Sequence, residues 1–482
     1  MAKITAVIDI GSNSARMAIF EKTSHFGFHL LYETKSKVRI SESSYQNQGY
    51  LQEIPMQRAI NALSDFLFIA KIHKARKILC VATSALRDAP NKAYFLALAR
   101  KIGLNIKIID GDKEAYYGAL AALNLLPYQE GITIDIGGGS TECALIQNNK
   151  IIDKISLNLG TIRLKELFFD KSDYKGAREF VLEHLSKLPK HFKHKRIFGI
   201  GGTARALSKS IQKQINYPLD TLHAFEYNFD TYQDFFKTLY TSNQKDLLKY
   251  NIKEDRLDSI QGGALIFHLA LENFGAECVV TSGVGVREGV FLHDLLRHNN
   301  GIFPPNFNPS LRSIKDRFIN NPHKSKTTKI LLSRLIKTLN YEYLEPFYKH
   351  ILIAAELCDI GIALNFYEKN HHGSYFVFNT LNYALTHKDR LLIATLIKFN
   401  NKKIPQNLEF KELLPPFETL NILNFLLSLS DILSYHKNPK TLEISCKDCG
   451  FETIITLKNP THTLEEKLKK LSIPNLFKLD IC

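Results

Sequence analysis

At 482 residues the chain is too long for one domain and predicts three or four. Its 45% apolar content suits several real cores, and its net charge of +15 favours a polyanionic partner without choosing among nucleic acid, membrane and phosphate chains. No apolar run reaches the roughly 18–20 residues of a membrane span and no signal-like segment opens the chain. Seven scattered cysteines do not make a disulfide framework, so a reducing cytoplasm is expected.

In chain order, strands are predicted at Ile4–Ile10, Ile78–Ala82, Ile106–Ile109, Ile132–Ile136, Arg196–Ile200 and Cys278–Thr281. Each is short, rich in β-branched residues and bounded by Gly, Asp or Ser. Between them Pro55–His73 and Lys113–Leu125 carry apolar residues at helical spacing. Such alternation predicts an α/β fold. The Pro- and Asn-rich stretch 301–309 is expected as a linker, and 310–434 is nearly all helical in pattern. Alternation returns at Thr441–Ser445 and Glu452–Leu457, which predicts a terminal hairpin or small sheet.

An internal repeat organises the first part of the chain. Asp9-Ile10-Gly11-Ser12-Asn13-Ser14-Ala15-Arg16 aligns without a gap to Asp135-Ile136-Gly137-Gly138-Gly139-Ser140-Thr141-Glu142. Each copy reads as a strand, a glycine turn and a second apolar strand. Two copies predict two domains of common origin facing a cleft. One such turn alone is an ordinary hairpin. Two matched turns, with backbone N–H groups and hydroxyls aimed at one point, predict a phosphate cradle. On this reading Gly11, Ser12, Asn13 and Ser14 form one cradle, and Gly137, Gly138, Gly139, Ser140 and Thr141 the other. Asp9 and Asp135 would repel phosphate and are better used to hold Mg²⁺ through water. A third loop, Gly201-Gly202-Thr203, follows a strand and opens a helix, which is a further phosphate site. Arg87, in a strand-to-loop setting, can clamp phosphate oxygens in a fork. Arg16 holds the place in the first copy that Glu142 holds in the second.

These loops resemble the phosphate motifs of the actin-like, sugar-kinase and Hsp70 superfamily. More closely, the chain resembles the exopolyphosphatase and guanosine pentaphosphate phosphatase family. The matching stretches are Asp9–Met17, Ala82–Ala89, Gly111–Ala115, Asp135–Glu142, Ser156–Leu164, Gly199–Leu207, Arg256–Ile266 and Ser282–Phe291, in the family's order. The resemblance implies two actin-like (ribonuclease H-like) α/β domains, expected at 1–124 and 125–300. It implies Glu142 and Glu114 as the catalytic carboxylates, with Glu114 also a candidate metal ligand, and Ser84 and Arg256 among the phosphate ligands. Chemically, an attacking water must be oriented in line and relieved of a proton, which suits a carboxylate at the lip of a phosphate loop. The implied activity is hydrolysis of terminal phosphoanhydride bonds of inorganic polyphosphate or guanosine pentaphosphate, with Mg²⁺, or Mn²⁺ in its place. The residues do not choose between the two substrates. A homodimer is expected, and neither nucleic acid nor membrane is an expected partner. The rivals are an ATP-dependent small-molecule kinase on the same fold and a non-enzymatic polyphosphate or alarmone sensor.

Leu357–Gly361, His371–Tyr375, Ile393–Lys403 and Asp431 resemble a helical HD-type domain, expected at 310–435. Metal-dependent HD hydrolases need an adjacent His-Asp pair, and here Cys358 precedes Asp359. A thiolate suits Zn²⁺ better than Mg²⁺. The domain is therefore expected as a non-catalytic relic that extends a basic channel or builds a dimer interface. The remaining 436–482 is expected as a small terminal segment. Within it, Cys446-Lys447-Asp448-Cys449 lacks a second ligand pair and reads as a turn rather than a zinc knuckle.

Overall fold

The computed structural model describes residues 3–436, 438–439, 443–448, 452–458 and 460–481. Cys449, half of the C-x-x-C pair, lies outside them. The chain divides into two units at Pro309 and Ser310.

The first unit is built on two sheets. The strands of the first are β1 (Ile4–Ile10), β2 (Ala15–Lys22), β3 (Phe28–Ser36), β4 (Lys77–Ala82) and β5 (Lys107–Ile108), in the order β3-β2-β1-β4-β5. The second holds β6 (Gly131–Ile136), β7 (Thr141–Gln147), β8 (Lys150–Leu157), β9 (Arg196–Ile200), β10 (Glu226–Asn228) and β11 (Cys278–Thr281), in the order β10-β11-β9-β6-β7-β8. Apart from the edge strand β10, the two orders are the same, and so are the pairings. The central strand runs antiparallel to its hairpin partner and parallel to the next strand on its other side.

The repeat seen in the sequence is thus a repeated hairpin. Asp9 pairs with Arg16 and Ile10 with Ala15; Asp135 pairs with Glu142 and Ile136 with Thr141. Each turn closes on one backbone bond, from Gly11 N to Ser14 O at 3.1 Å and from Gly137 N to Ser140 O at 2.9 Å. Strand β1 is buried on both faces because helices cover it, which explains its unbroken apolar run.

The two halves are not separable at residues 124 and 300. The helix Gly111–Leu125, which follows the first sheet in sequence, packs on β6, β7 and β8 of the second. The helix Val286–Leu295, which follows the second sheet, returns to β1 and β2 of the first. Phe291 stacks on Phe20 with ring centroids 4.4 Å apart, and Phe307, in the expected linker, meets Phe26 edge-on. The two exchanged helices also pack on each other at Gly289. A Cβ there would lie 1.9 Å from the Tyr117 carbonyl oxygen, so only glycine permits the approach.

In the second unit the helices Pro309–Phe318, Pro322–Leu339, Tyr348–Leu357, Lys369–Thr380, His387–Lys398 and Phe417–Leu433 gather around one apolar core. A small sheet follows, with β12 (Ile444–Asp448) antiparallel to β13 (Thr453–Leu457), so Cys446, Lys447 and Asp448, expected in a turn, pair as strand, while Thr441 and Leu442 of the expected strand lie outside the described residues. A third strand not anticipated, β14 (Phe477–Ile481), runs parallel to β13 after the helix His462–Lys469.

Candidate active site

The two hairpin turns face each other across a cleft in the first unit. Gly138 lies so close to Ser12 that a Cβ on the glycine would sit 2.9 Å from the serine Cβ. Both turns are also tied down in the same way. Thr83, after β4, donates its hydroxyl to Ile10 O at 3.4 Å, and Thr203, after β9, donates to Ile136 O at 3.4 Å. Ser84 adds a hydroxyl contact to Ser12 at 3.3 Å.

The cleft is a cavity of about 140 Å³. It brings together Asp9, Gly11, Ser12, Asn13, Ser14, Arg16, Ser84, Glu114, Asp135, Gly137, Gly138, Ser140, Glu142, Gly201, Gly202, Thr203 and Arg256, all singled out in the sequence. Three expected phosphate ligands do not line it. Arg87 turns to Glu114, with Nη1 3.2 Å from Oε2 and 3.3 Å from Ile109 O, so its fork is engaged by protein. Gly139 offers its carbonyl to Arg163 at 3.2 Å. The Thr141 hydroxyl donates to Leu159 O at 2.5 Å inside the sheet.

The carboxylates are unusual in their burial. Glu142, the second residue of β7, is 3% exposed and accepts from Ser156 Oγ at 2.8 Å. Burial, with Asp135 nearby, pushes its carboxyl up to about 7 despite hydrogen bonds from Ser140 and Ser156. Glu114, near the start of its helix, is held well above the carboxylate range by burial and by the neighbouring Glu142, against the pull of Arg87. That helix is capped by Asp110, whose side chain accepts from Lys113 N at 2.6 Å. Burial likewise raises Asp9 to about 6 and raises Asp135, although Arg16 tempers both.

Cations crowd the same space. Burial and the charges of Arg16 and Arg287 lower Arg205 to about 10. Burial, and the nearby Arg287 and Arg256, also lower Arg16. Like charges at this density repel one another, and a bound polyanion relieves them. Gly201 takes φ +79°, and a Cβ there would strike Asp135 Oδ1 at 2.0 Å. Gly202 leaves room for the Arg256 guanidinium, whose Nη2 would lie 2.5 Å from an added Cβ.

Arg205, Arg287, Glu288 and Lys35 also line the cleft and were not assigned roles from the sequence. Arg205 is anchored on Gly283 O at 2.9 Å, Arg287 on Glu33 at 3.2 Å, and Glu288 accepts from Gly285 N at 2.8 Å. The first three lie in the stretches Gly199–Leu207 and Ser282–Phe291, which carried the signal. Lys35 lies on the edge strand β3 and had none.

The donor set of the cleft is hard oxygen, which fits Mg²⁺ or Mn²⁺. Among the described residues, no three of the cleft carboxylates come within 4.8 Å of one another, so an ion here would be held in part through water.

The Ppx/GppA phosphatase family matches residues 18–298, and domain III of Ppx/GppA phosphatases matches 319–475. A bifunctional 3-dehydroquinate synthase/phosphatase of Fusobacterium nucleatum subsp. nucleatum is 29% identical over 298 residues, covering 58% of this chain. The match spans only 45% of that relative's length. A guanosine-5'-triphosphate,3'-diphosphate pyrophosphatase of Photobacterium profundum is 26% identical over 426 residues, 83% of this chain and 80% of that one. The crystal structure of the Aquifex aeolicus Ppx/GppA family member superposes with a TM-score of 0.53 at 29% identity, covering 62% of this chain and 99% of that chain. An exopolyphosphatase from Cytophaga hutchinsonii, at 22% identity and a TM-score of 0.57, covers the same shares and shares the fold. The first unit has the actin-like α/β fold, the second is the helical domain III, and the chain belongs to the Ppx/GppA phosphatase family.

Proposed function

We propose that the chain hydrolyses terminal phosphoanhydride bonds, releasing orthophosphate, and that long inorganic polyphosphate is its preferred substrate. The observation that carries the reaction is the buried Glu142–Glu114 pair beside two facing phosphate cradles. The turn amides and the hydroxyls of Ser12, Ser14 and Ser140 hold the terminal phosphates. Arg16, Arg205, Arg256 and Arg287 balance the charge that builds on the transferred group. Glu142, oriented by Ser156, takes the proton from the attacking water. Arg87 positions Glu114 through their ion pair, and Glu114 shares the same water. Asp9 and Asp135 would hold Mg²⁺, which when bound would neutralise phosphate charge. The direct path from water to phosphate needs no covalent intermediate. A homodimer belongs to the same reading, and light scattering on the full chain checks it.

The substrate preference rests on a groove of about 810 Å³ that shares Arg16, Lys35, Arg205, Arg256 and Arg287 with the cleft. Lys209, Lys213 and Lys253 extend this basic lining, against Glu33 and Asp255. Among the described residues no aromatic ring lines the groove, so it offers repeated phosphates many partners and a base no stacking platform. Replacing Lys209, Lys213 and Lys253 together by Glu tests this. The account predicts a KM for long-chain polyphosphate raised at least tenfold, with kcat and the KM for tripolyphosphate nearly unchanged. An equal loss on both chain lengths would contradict it.

A further inference from the structure

In the second unit, Cys358 Sγ, one oxygen of Asp359 and one of Asp431 lie within 4.8 Å of one another. By ligand type and spacing this group could hold a divalent ion. The place of that ion is taken. Lys324, at the start of the helix Pro322–Leu339, donates its ammonium to both Asp359 and Asp431. Lys369, which opens the helix Lys369–Thr380, donates to the other oxygen of Asp359.

The remaining valences are satisfied too. The second oxygen of Asp431 accepts from Asn400 at 3.0 Å and Asn401 at 2.8 Å. Cys358 donates its thiol to Asp431 Oδ1 at 3.6 Å. Lys324 is 8% exposed and also lies 4.6 Å from the centre of the Tyr435 ring, a further contact for a buried cation. Two ammonium groups thus balance two carboxylates, and the thiol is kept as a neutral donor by its burial and by Asp431 beside it. A divalent ion entering here would have to take the thiol proton and sit against two positive charges.

We propose that the Lys324 ammonium is the resident cation of this centre, a tethered substitute for a metal ion, so that the helical unit binds no metal and carries no metal-dependent hydrolysis of its own. The arrangement makes the metal site recoverable. Lys324 comes from one helix, Cys358 and Asp359 follow the end of a second, and Asp431 lies near the end of a third, so the ligands stay in place when the lysine is exchanged for a ligand.

Cobalt(II) titration of the full chain tests this, read by thiolate-to-cobalt charge-transfer absorption, which the all-oxygen cleft cannot give. The wild type should show no such band that depends on Cys358. Lys324→His should gain a band at one equivalent, and Lys324→His with Cys358→Ser should lose it. A wild-type band abolished by Cys358→Ser overturns the proposal, and so does a folded Lys324→His chain without the band. As an independent readout, Lys324→Ala should lower Tm, and cobalt should raise the Tm of Lys324→Ala by more than that of the wild type, whose cleft takes a divalent ion in both. A Tm for Lys324→Ala equal to that of the wild type would equally overturn it.

Discussion

In the proposed reaction Glu142 is the base, and its environment sets two opposed expectations. Burial, with Asp135 nearby, pushes its carboxyl up to about 7, so a base of useful strength exists near neutral pH. The log of kcat/KM should therefore fall as pH drops below about 7. A flat profile from pH 5 to 8 would contradict the assignment. The same shift costs stability. The folded chain holds this proton more tightly than the unfolded chain, so the contribution is present below the ordinary carboxylate range and is lost as pH rises through about 7. Glu142→Gln, which mimics the protonated acid, should raise Tm more at pH 8 than at pH 5, by scanning calorimetry. An equal change at both would show that charge is not the cause. At this scale the sequence was informative where chemistry is local. The hairpin cradles could be read from glycine, serine and aspartate in register. Arg87 could not be placed, because its partner Glu114 comes from a helix 27 residues further on. Lys35 escaped notice because a lysine on an edge strand is what a solvated face also carries.

Among the elements, the duplication was legible because Asp-Ile-Gly recurs at the end of β1 and β6, and both hairpins close on the same backbone bond. The strands β3 and β8 were not legible, since neither Phe28–Ser36 nor Lys150–Leu157 keeps a clean alternation: Leu30-Leu31-Tyr32 and Ile151-Ile152 break the period, and charged residues interrupt both segments. The helix exchange was also hidden. Nothing in Gly111–Leu125 says which sheet it will cover, and its partner Val286–Leu295 is some 160 residues away in the chain. Gly289 marks where the two meet. Alanine in a helix is ordinarily favoured over glycine by about 1 kcal/mol. Here the added methyl would drive into Tyr117 O, and overpacking costs about 1–3 kcal/mol. The clash should win, so Gly289→Ala should lower the urea midpoint of the first unit and reduce kcat by disturbing the Glu114 helix. A stabilised variant would contradict the packing described.

For the whole molecule, the +15 net charge was ambiguous by itself and becomes specific only where it is concentrated. In the first unit the excess of cations lies along the groove beside the cleft, where Lys35, Lys209, Lys213 and Lys253 join four arginines against Glu33 and Asp255, whereas the cleft itself sets its arginines against buried carboxylates. In the second unit, two lysines are spent on the internal Asp359 and Asp431. The central claim is that the Glu142–Glu114 pair directs water onto a terminal phosphoanhydride. The most direct measurement is orthophosphate release with Mg²⁺ from long-chain polyphosphate and guanosine pentaphosphate, by the wild type and by Glu142→Gln, with binding measured alongside. The account predicts release by the wild type, fastest per KM on polyphosphate, and a loss of about 10²–10⁴ in kcat for Glu142→Gln with binding retained. No release by the wild type on either substrate, or an undiminished rate in Glu142→Gln, would contradict it.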